Sequence, residues 1–348
     1  MARGPLVSIV IDNYNYGRFL KDSIESALSQ RYPNTEVVVV DDGSTDDSRK
    51  IISQYAHSLV AVLKENGGQG SAFNAGFARS RGDIVIFLDA DDFLFDHAAS
   101  TIVDNWEPCV GQVQCAIFQR DLRARSPQVL LPLPRLTTSE IRARILNCLS
   151  TAGPPIHGVG YSRKLLERLL PLPENLWRTG ADTPIRLLSP FLGEVVRVQR
   201  PIGVYCRHGE NDSAMSEMGP HGVGLSVSLR KIRDRLVRDS QARALLKNFL
   251  CQRGTRLRED WLFRSPAHLG LRLIHKRLAS GNHPFPDDRR EDLLMAGIRA
   301  CLNCPEFSVP KRLVYPLLML GAAYAPRRVV HAAYRLRLRA PSTVRVRL

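Results

Sequence analysis

Ile84-Val85-Ile86-Phe87-Leu88-Asp89-Ala90-Asp91-Asp92 runs five apolar residues straight into an acidic cluster, and its reading decides the fold. A continuous apolar run of that length is how a parallel strand covered on both faces reads. Outward from it, toward the N-terminus, the same texture recurs at residues 7–11 and 36–40, with a weaker run at 59–63. The stretches between them, 17–30, 45–57 and 71–81, are long enough for crossover helices. In the first of these, Phe19, Leu20, Ile24, Ala27 and Leu28 recur at helical spacing. Ser44 or Thr45 supplies an N-cap for the second helix, with Asp46 and Asp47 in its first turn. Strand–helix–strand repetition predicts right-handed βαβ units. The expected fold is α/β, a doubly wound, mainly parallel sheet with helices on both faces.

Beyond residue 105, Pro127, Pro132, Pro134, Pro154, Pro155, Pro171 and Pro173 break the pattern into short pieces. After Gly224 the texture turns Arg-rich and helical, at 225–249 and 293–302, with a turn-like stretch at 281–288 between them. Charge follows the same division. Residues 216–348 hold 26 Lys/Arg against 10 Asp/Glu, a net of +16, which leaves −1 for residues 1–215. The expected organisation is a domain over 1–220, with halves at 1–105 and 106–220, and a basic helical C-terminal region over 221–348.

Several classes fall away. The chain has 348 residues, 44% hydrophobic and 24% charged, which argues for globular structure over disorder. The N-terminal apolar run at 6–10 is too short for a signal-peptide core. No apolar stretch reaches the roughly 18 to 20 residues of a spanning helix. The nearest, 313–325, contains Pro316. Seven scattered cysteines suit reduced thiols in a cytoplasmic setting. Cys301 and Cys304 form a lone CxxC with no second pair and no nearby His, so plain thiols are expected there.

In an open α/β sheet, ligands bind beyond the C-terminal ends of the strands. Asp12, Asn13 and Tyr14 follow the first strand, Asp41-Asp42-Gly43-Ser44 the second, and Asp89-Ala90-Asp91-Asp92 the fourth. Three strands thus deliver acids and amides to one edge. Mg²⁺ or Mn²⁺ bound with a diphosphate takes one or two carboxylates, which Asp89, Asp91 and Asp92 offer. Acids that cap the next helix or face water would read the same. A carboxylate at Asp41 or Asp42 suits the imide N–H of a uracil, with Tyr14 on the base face. A turn with an N-cap, and a rim aromatic at Tyr14, are the other readings of those residues. Gly67-Gly68-Gln69-Gly70-Ser71 opens a helix carrying Asn74, and its N-terminus is placed to face a diphosphate. It matches neither the Walker A pattern nor GxGxxG.

Taken in order, VSIVIDNYN (7–15), VVVVDDGSTDDS (37–48) and ENGGQGSAFNAGFARSRGDIVIFLDADD (65–92) closely resemble one family. They are similar to the nucleotide-sugar half of inverting family-2 glycosyltransferases of the GT-A fold, over residues 6–100. The resemblance implies a nucleotide-sugar donor, often a UDP sugar, and Mg²⁺ or Mn²⁺. It implies Asp42 as the base-binding acid with Asp41 its neighbour, Tyr14 beside the uracil, and Asp89, Asp91 and Asp92 in the metal and diphosphate motif. Asp12, Gly70, Asn74 and Ala90 belong to the expected donor site. Asp12-Asn13 departs from the family, which more often has Pro followed by Thr, Ser, Ala or Cys.

Inverting transfer needs a base for the acceptor hydroxyl. Family members commonly carry it in an acidic pair that opens a helix, followed by a strand and a YR-x-H element. The matching segment here is 177–188, with Ala181 where the first acid often stands, so Asp182 carries the role alone. An N-cap ahead of Thr183-Pro184 is the other reading of Asp182. Residues 195–198 read as the strand, and Tyr205-Cys206-Arg207-His208 follows it. Arg207 and His208 face the diphosphate or metal, or form a surface pair. Asp212 and Glu210 are the next candidates for the base.

The expected acceptor is a saccharide or lipid-linked saccharide of the cell envelope. A sugar nucleotidyltransferase would want a Gly-rich GxGTR-like loop within residues 1–20, and none is there. A non-catalytic basic binding protein with a degenerate transferase domain is the other rival. Arg327, Arg328, Arg335, Arg337, Arg339, Arg345 and Arg347 follow the apolar segment 313–325. A basic helix beside a short apolar stretch suits the inner face of an anionic membrane, or a solvated partner face. Aromatics are sparse there and no nucleic-acid-binding motif is evident, so no nucleic acid is expected.

Overall fold

The computed structural model describes residues 4–122, 128–148, 151–208, 225–254, 266–279, 281–303 and 308–330. The chain divides into two compact units, residues 1–142 with 150–207, and residues 143–149 with 208–348. The expected boundary near 220 lies outside the described residues.

The first unit is built on a mixed, mostly parallel sheet. Its opening elements alternate: β1 (Val7–Asn13), α1 (Gly17–Leu28), β2 (Thr35–Asp42), α2 (Ser48–Ser53), β3 (Val60–Lys64), α3 (Gln69–Arg79) and β4 (Ile84–Asp89). Next come β5 (Phe93–Leu94), α4 (Ala98–Asp104), β6 (Val110–Asp121), β7 (Val129–Leu131) and α5 (Thr138–Cys148), whose residues from Ala143 onward count to the second unit. The remainder is β8 (Val159–Ser162), α6 (Arg163–Leu166), α7 (Asp182–Leu188) and β9 (Glu194–Arg207). Strand order is β3-β2-β1-β4-β8-β6-β9-β5, with β7 on β6. β1 to β4 are all parallel, β8 is antiparallel to both neighbours, and β6 runs parallel to β9.

Burial explains why these runs become strands. Val7, Ile9, Val10 and Ile11 are buried, as are Val37 to Val40 and Ile84 to Leu88. Strands covered on both faces need no alternation, so the apolar run is the whole signal. β3 is the sheet edge, and Leu63 there is exposed, which is why its run reads weakly. Order reverses between β1 and β4, and that switch point opens the crevice in which open α/β sheets bind ligands.

Three expectations need correction. The second helix spans only Ser48–Ser53, and Asp47, not Ser44 or Thr45, occupies its N-cap position. Ser44 and Thr45 are spent on Asn15, whose backbone N–H donates to Ser44 Oγ and whose Oδ1 accepts from Thr45 N. Asp46 accepts from the Ser48 backbone N–H instead. The middle of the chain is also more regular than its prolines suggest. β6 has 12 residues and β9 has 14. β6 hides in the sequence because Gln112 and Gln114 are buried polar residues that hydrogen-bond one another. β9 absorbs Pro201 at an irregularity in its register with β6.

The second unit is helical: α8 (Leu225–Cys251), α9 (Pro266–Leu278), α10 (Arg290–Leu302) and α11 (Val309–Tyr324). α9, α10 and α11 share an apolar core of Leu269, Leu273, Leu293, Leu294, Met319 and Ala323. Among the described residues, no helix is long and apolar enough to cross a membrane. Cys304 and the arginines from 335 onward lie outside the described residues.

Candidate active site

At the switch point, Asp12 of β1 stands directly opposite Asp89 of β4 in the sheet register. Asp89, Asp91 and Asp92 each offer a carboxylate oxygen, and these oxygens lie within 4.8 Å of one another. The crowding is electrostatically costly. Asp12 is raised well above the usual carboxylate range by burial and by the charges of Asp89 and Asp91. Asp89 is raised by burial and by Asp92, Asp91 and Asp182. Asp92 is raised by burial and by Asp91. Asp12 Oδ1 is buried with no N–H or hydroxyl donor to it. Carboxylates held this close want a counter-cation, and an all-oxygen donor set suits a hard divalent ion such as Mg²⁺ or Mn²⁺.

Within the cluster the acids are held differently. Asp92 turns into the protein, where its Oδ1 accepts from the Cys206 backbone N–H at 2.7 Å. Its Oδ2 lies 3.0 Å from Nδ1 of His157. His157 is fully buried, and burial holds it neutral, with its pKa brought down to about 4. Ala90 is buried, and its N–H donates to the Asp12 carbonyl at 3.2 Å. It therefore ties β1 to β4.

The nucleoside end is assembled from the tips of β1, β2 and β3. Asp41 is fully buried and accepts from Asn13 Nδ2, the Ser44 N–H and Arg49 Nε. It fixes the loops around the cleft. Asp42 accepts from Lys64 Nζ and the Gly67 N–H on Oδ1, and from the Gly68 N–H on Oδ2. Tyr14 is exposed, on a turn where Asn15 takes the left-handed φ of 57° and grips the β2–α2 loop. A cleft of about 480 Å³ opens beside these groups, lined by residues that include Ser44, Arg49, Lys64 and Asn66.

Gly70 and Asn74 hold the segment that runs past the start of α3. The Gln69 and Gly70 N–H groups at the start of α3 donate to the carbonyls of Arg178 and Trp177. Asn74 grips Leu172 through both its backbone N–H and its carbonyl. The Gly-rich turn therefore receives the strap 171–181, and these α3 N–H groups are not aimed at a diphosphate. A Cβ on Gly68, whose φ is +89°, would stand 2.6 Å from Arg178 Cα, and one on Gly70 would stand 2.8 Å from the Trp177 carbonyl oxygen. Only glycine lets the strap lie so close.

The strap ends at α7, where Asp182 is the first helical residue and Ala181 the N-cap, with no side-chain capping bond. The capping reading of Asp182 is thus not the one realised. Asp182 Oδ2 accepts from Arg186 Nη1 at 3.0 Å, and its charge is felt at Asp89. Gln69 joins the two: its Nε2 donates to Asp89 Oδ1 at 3.2 Å, and its Oε1 accepts from the Ala181 N–H at 3.0 Å. Sequence reasoning missed Gln69, and also His157 and Arg186. Gln69 was legible only as part of a Gly-rich turn, and its partners are 20 and 112 residues away. Arg207 closes β9, while His208 falls in the second unit. Glu210 and Asp212 lie outside the described residues.

Known proteins bear on this arrangement. The pattern described as Glycosyl transferase family 2 matches residues 8–170. An uncharacterized glycosyltransferase of Nostoc sp. is 34% identical over 244 residues, covering 67% of this chain and 76% of the relative. A putative teichuronic acid biosynthesis glycosyltransferase of Bacillus subtilis, TuaG, is 40% identical over 92 residues, 25% of this chain and 36% of the relative. Among solved structures, S. aureus TarS 1-349 in complex with UDP-GlcNAc superposes with a TM-score of 0.52 at 18% identity, over 95% of this chain and 92% of that one. That last likeness speaks for the fold.

Proposed function

The chain belongs to glycosyl transferase family 2 and is a glycosyltransferase; from that premise we propose that it transfers a sugar from a UDP-sugar donor to an acceptor hydroxyl with inversion. One observation carries this reading: β1, β4 and α7 bring Asp12, Asp89, Asp91, Asp92 and Asp182 into one electrostatic cluster at the switch point.

Asp89 and Asp91 are the residues to hold a divalent cation, with Asp92 fixed from behind by the Cys206 N–H. When bound, Mg²⁺ or Mn²⁺ supplies charge compensation for a diphosphate leaving group. The uracil is assigned to the tips of β1 and β2, where the Asp42 carboxylate accepts the imide N–H and Tyr14 supplies an aromatic face, next to the cleft that Ser44, Arg49, Lys64 and Asn66 line. Asp182 takes the proton of the acceptor hydroxyl as its oxygen bonds the anomeric carbon. The bond from that carbon to the diphosphate oxygen breaks, and the nucleotide leaves with the negative charge. Arg186 and the Gln69 bridge hold Asp182 where the strap delivers it. The acceptor is a saccharide or lipid-linked saccharide of the cell envelope, met at the cytosolic face. The similarity to TuaG, a putative teichuronic acid biosynthesis glycosyltransferase, supports that class.

Titration of UDP into the protein, with and without Mn²⁺, tests the reading. Binding is expected to need the metal and to vanish in Asp91→Ala. Undiminished binding in a chelator, or in a folded Asp91→Ala variant, would remove the cation from the scheme. A panel of nucleotide sugars scored for metal-dependent hydrolysis then selects the donor.

A further inference from the structure

α11 shows its apolar side to water. Placed at 3.6 residues per turn, Val309, Leu313, Leu317, Leu320 and Tyr324 share an arc of about 80°, and all five are exposed, Val309 by 71%, Leu313 by 64% and Leu317 by 65%. A surface helix ordinarily turns such a stripe inward. The inward side of α11 is already filled, by Met319 and Ala323 in the core shared with α9 and α10. The helix is also fixed at its end, where Arg277 Nη1 donates to the carbonyls of Ala322 and Ala325 at 2.8 and 2.9 Å. The exposed stripe thus belongs to a docked helix.

Cations frame this stripe. Lys311 and Arg312 occupy its first turn, where the helix dipole disfavours positive charge. Arg327 and Arg328 follow its last turn and are exposed, as is Val329. Beside them opens a cleft of about 410 Å³, lined among the described residues by Lys276, Arg277, Arg290, Arg327 and the acid Glu291. Apolar stripe and basic cleft lie within residues 216–348, whose net charge is +16.

We propose that α11 seats in the headgroup–acyl boundary of an anionic phospholipid bilayer, lying in its plane, with lipid phosphates in the basic cleft. Charge complementarity selects this occupant. A second copy would bring one strongly basic surface against another, whereas an anionic lipid surface attracts each cation near it. With 16 residues, α11 is about 24 Å long and does not span a bilayer, but its apolar stripe matches the shallow burial of an interfacial helix.

Flotation of the full-length protein with vesicles tests this. The vesicles are phosphatidylcholine alone, or phosphatidylcholine mixed with phosphatidylglycerol. The wild type should partition into the mixed vesicles, float poorly with the neutral ones, and release as salt is raised. Leu313→Ser with Leu317→Ser should lower partitioning by at least about tenfold. Lys276→Gln with Arg327→Gln should lower it roughly twentyfold and flatten the salt dependence. All four positions are surface sites of the second unit, so hydrolysis of a soluble donor should be unchanged and certifies folding. Equal flotation with neutral vesicles, no flotation, or variants that float like the wild type would overturn the proposal. So would a wild-type dimer on a sizing column that Leu313→Ser with Leu317→Ser dissolves without altering vesicle binding.

Discussion

Asp182 and Asp89 are 93 positions apart in sequence, yet one amide spans them, since Gln69 donates to Asp89 and accepts from the Ala181 N–H. Two substitutions separate what each residue does. Asp182→Asn keeps size and shape and removes only the proton acceptor. Metal-dependent UDP binding should stay within about twofold of the wild type, while transfer falls by roughly 10² to 10⁴. Calorimetry for UDP, paired with steady-state kinetics, reads both numbers. Equal turnover in the two proteins would send the base to another residue. Gln69→Ala acts one step back, on the residues assigned above to the donor's cation and to the acceptor hydroxyl. Its loss should lower turnover about 10-fold to 100-fold, the range for removing a partner of a metal-site carboxylate. Gln69→Glu, which keeps an acceptor for the Ala181 N–H but adds a charge beside Asp89, should restore none of it. At this scale the acids were readable, because each ends an apolar run or opens a helix. Gln69 and His157 were not, since a residue that acts by touching two distant elements leaves no local mark.

The Gly-rich turn is a bearing surface for the strap, and its glycines report on strap placement. Gly70→Ala forces a Cβ to within 2.8 Å of the Trp177 carbonyl oxygen. The strap must lift, and Asp182 lifts with it. The expected loss of stability is about 1–3 kcal/mol, with transfer reduced far more than metal-dependent UDP binding. Thermal unfolding and the same calorimetry check the pair. If UDP binding and transfer fell together, the turn would have to contact the donor after all. The elements legible in the sequence were those whose environment matches a simple rule. β1, β2 and β4 are covered on both faces and read as unbroken apolar runs. β6 escaped, and β9 was legible only over 195–198, because their neighbours supply what the rule assumes absent: an internal glutamine pair lets β6 bury polar side chains, and a register shift lets β9 carry a proline. α2 came out shorter than expected because Asn15 claims the groups that a cap would use.

The two units differ in the chemistry of their interiors, and that difference gives the molecule a pH response. The first unit has a mainly apolar core, with single buried polar residues such as Gln112, Gln114 and His157 besides the strand-tip acids. In the second, α9 buries a polar stripe of His268, Arg272 and His275 against Asp239 and Arg243 of α8 and the loop residues His283 and Asp288. His275 touches His283 through their Nδ1 atoms at 3.0 Å, and His283 turns Nε2 to Asp288 at 2.7 Å. Burial first, then the charges of His283 and Arg233, bring His275 down to about 4, against the partial support of the Leu229 carbonyl. Burial likewise lowers His268, although Asp239 opposes it. A base whose folded pKa lies below its unfolded value leaves the unfolded state holding more protons. Its stabilising contribution is therefore complete above about 6.5, the unfolded value, and drains away as pH falls toward 4. Asp12, Asp89 and Asp92, with raised values, contribute with the opposite sign. Acidification from pH 7 to 5 should accordingly loosen α9 while the β1, β2 and β4 amides hold. Amide hydrogen exchange at the two pH values resolves this, once rates are corrected for their intrinsic pH dependence. In His275→Gln, which cannot take up the proton, the acid-induced loss in α9 should shrink. Loss of protection in β1 and β4 ahead of α9 would place the acid-sensitive group in the first unit and refute the assignment to His275.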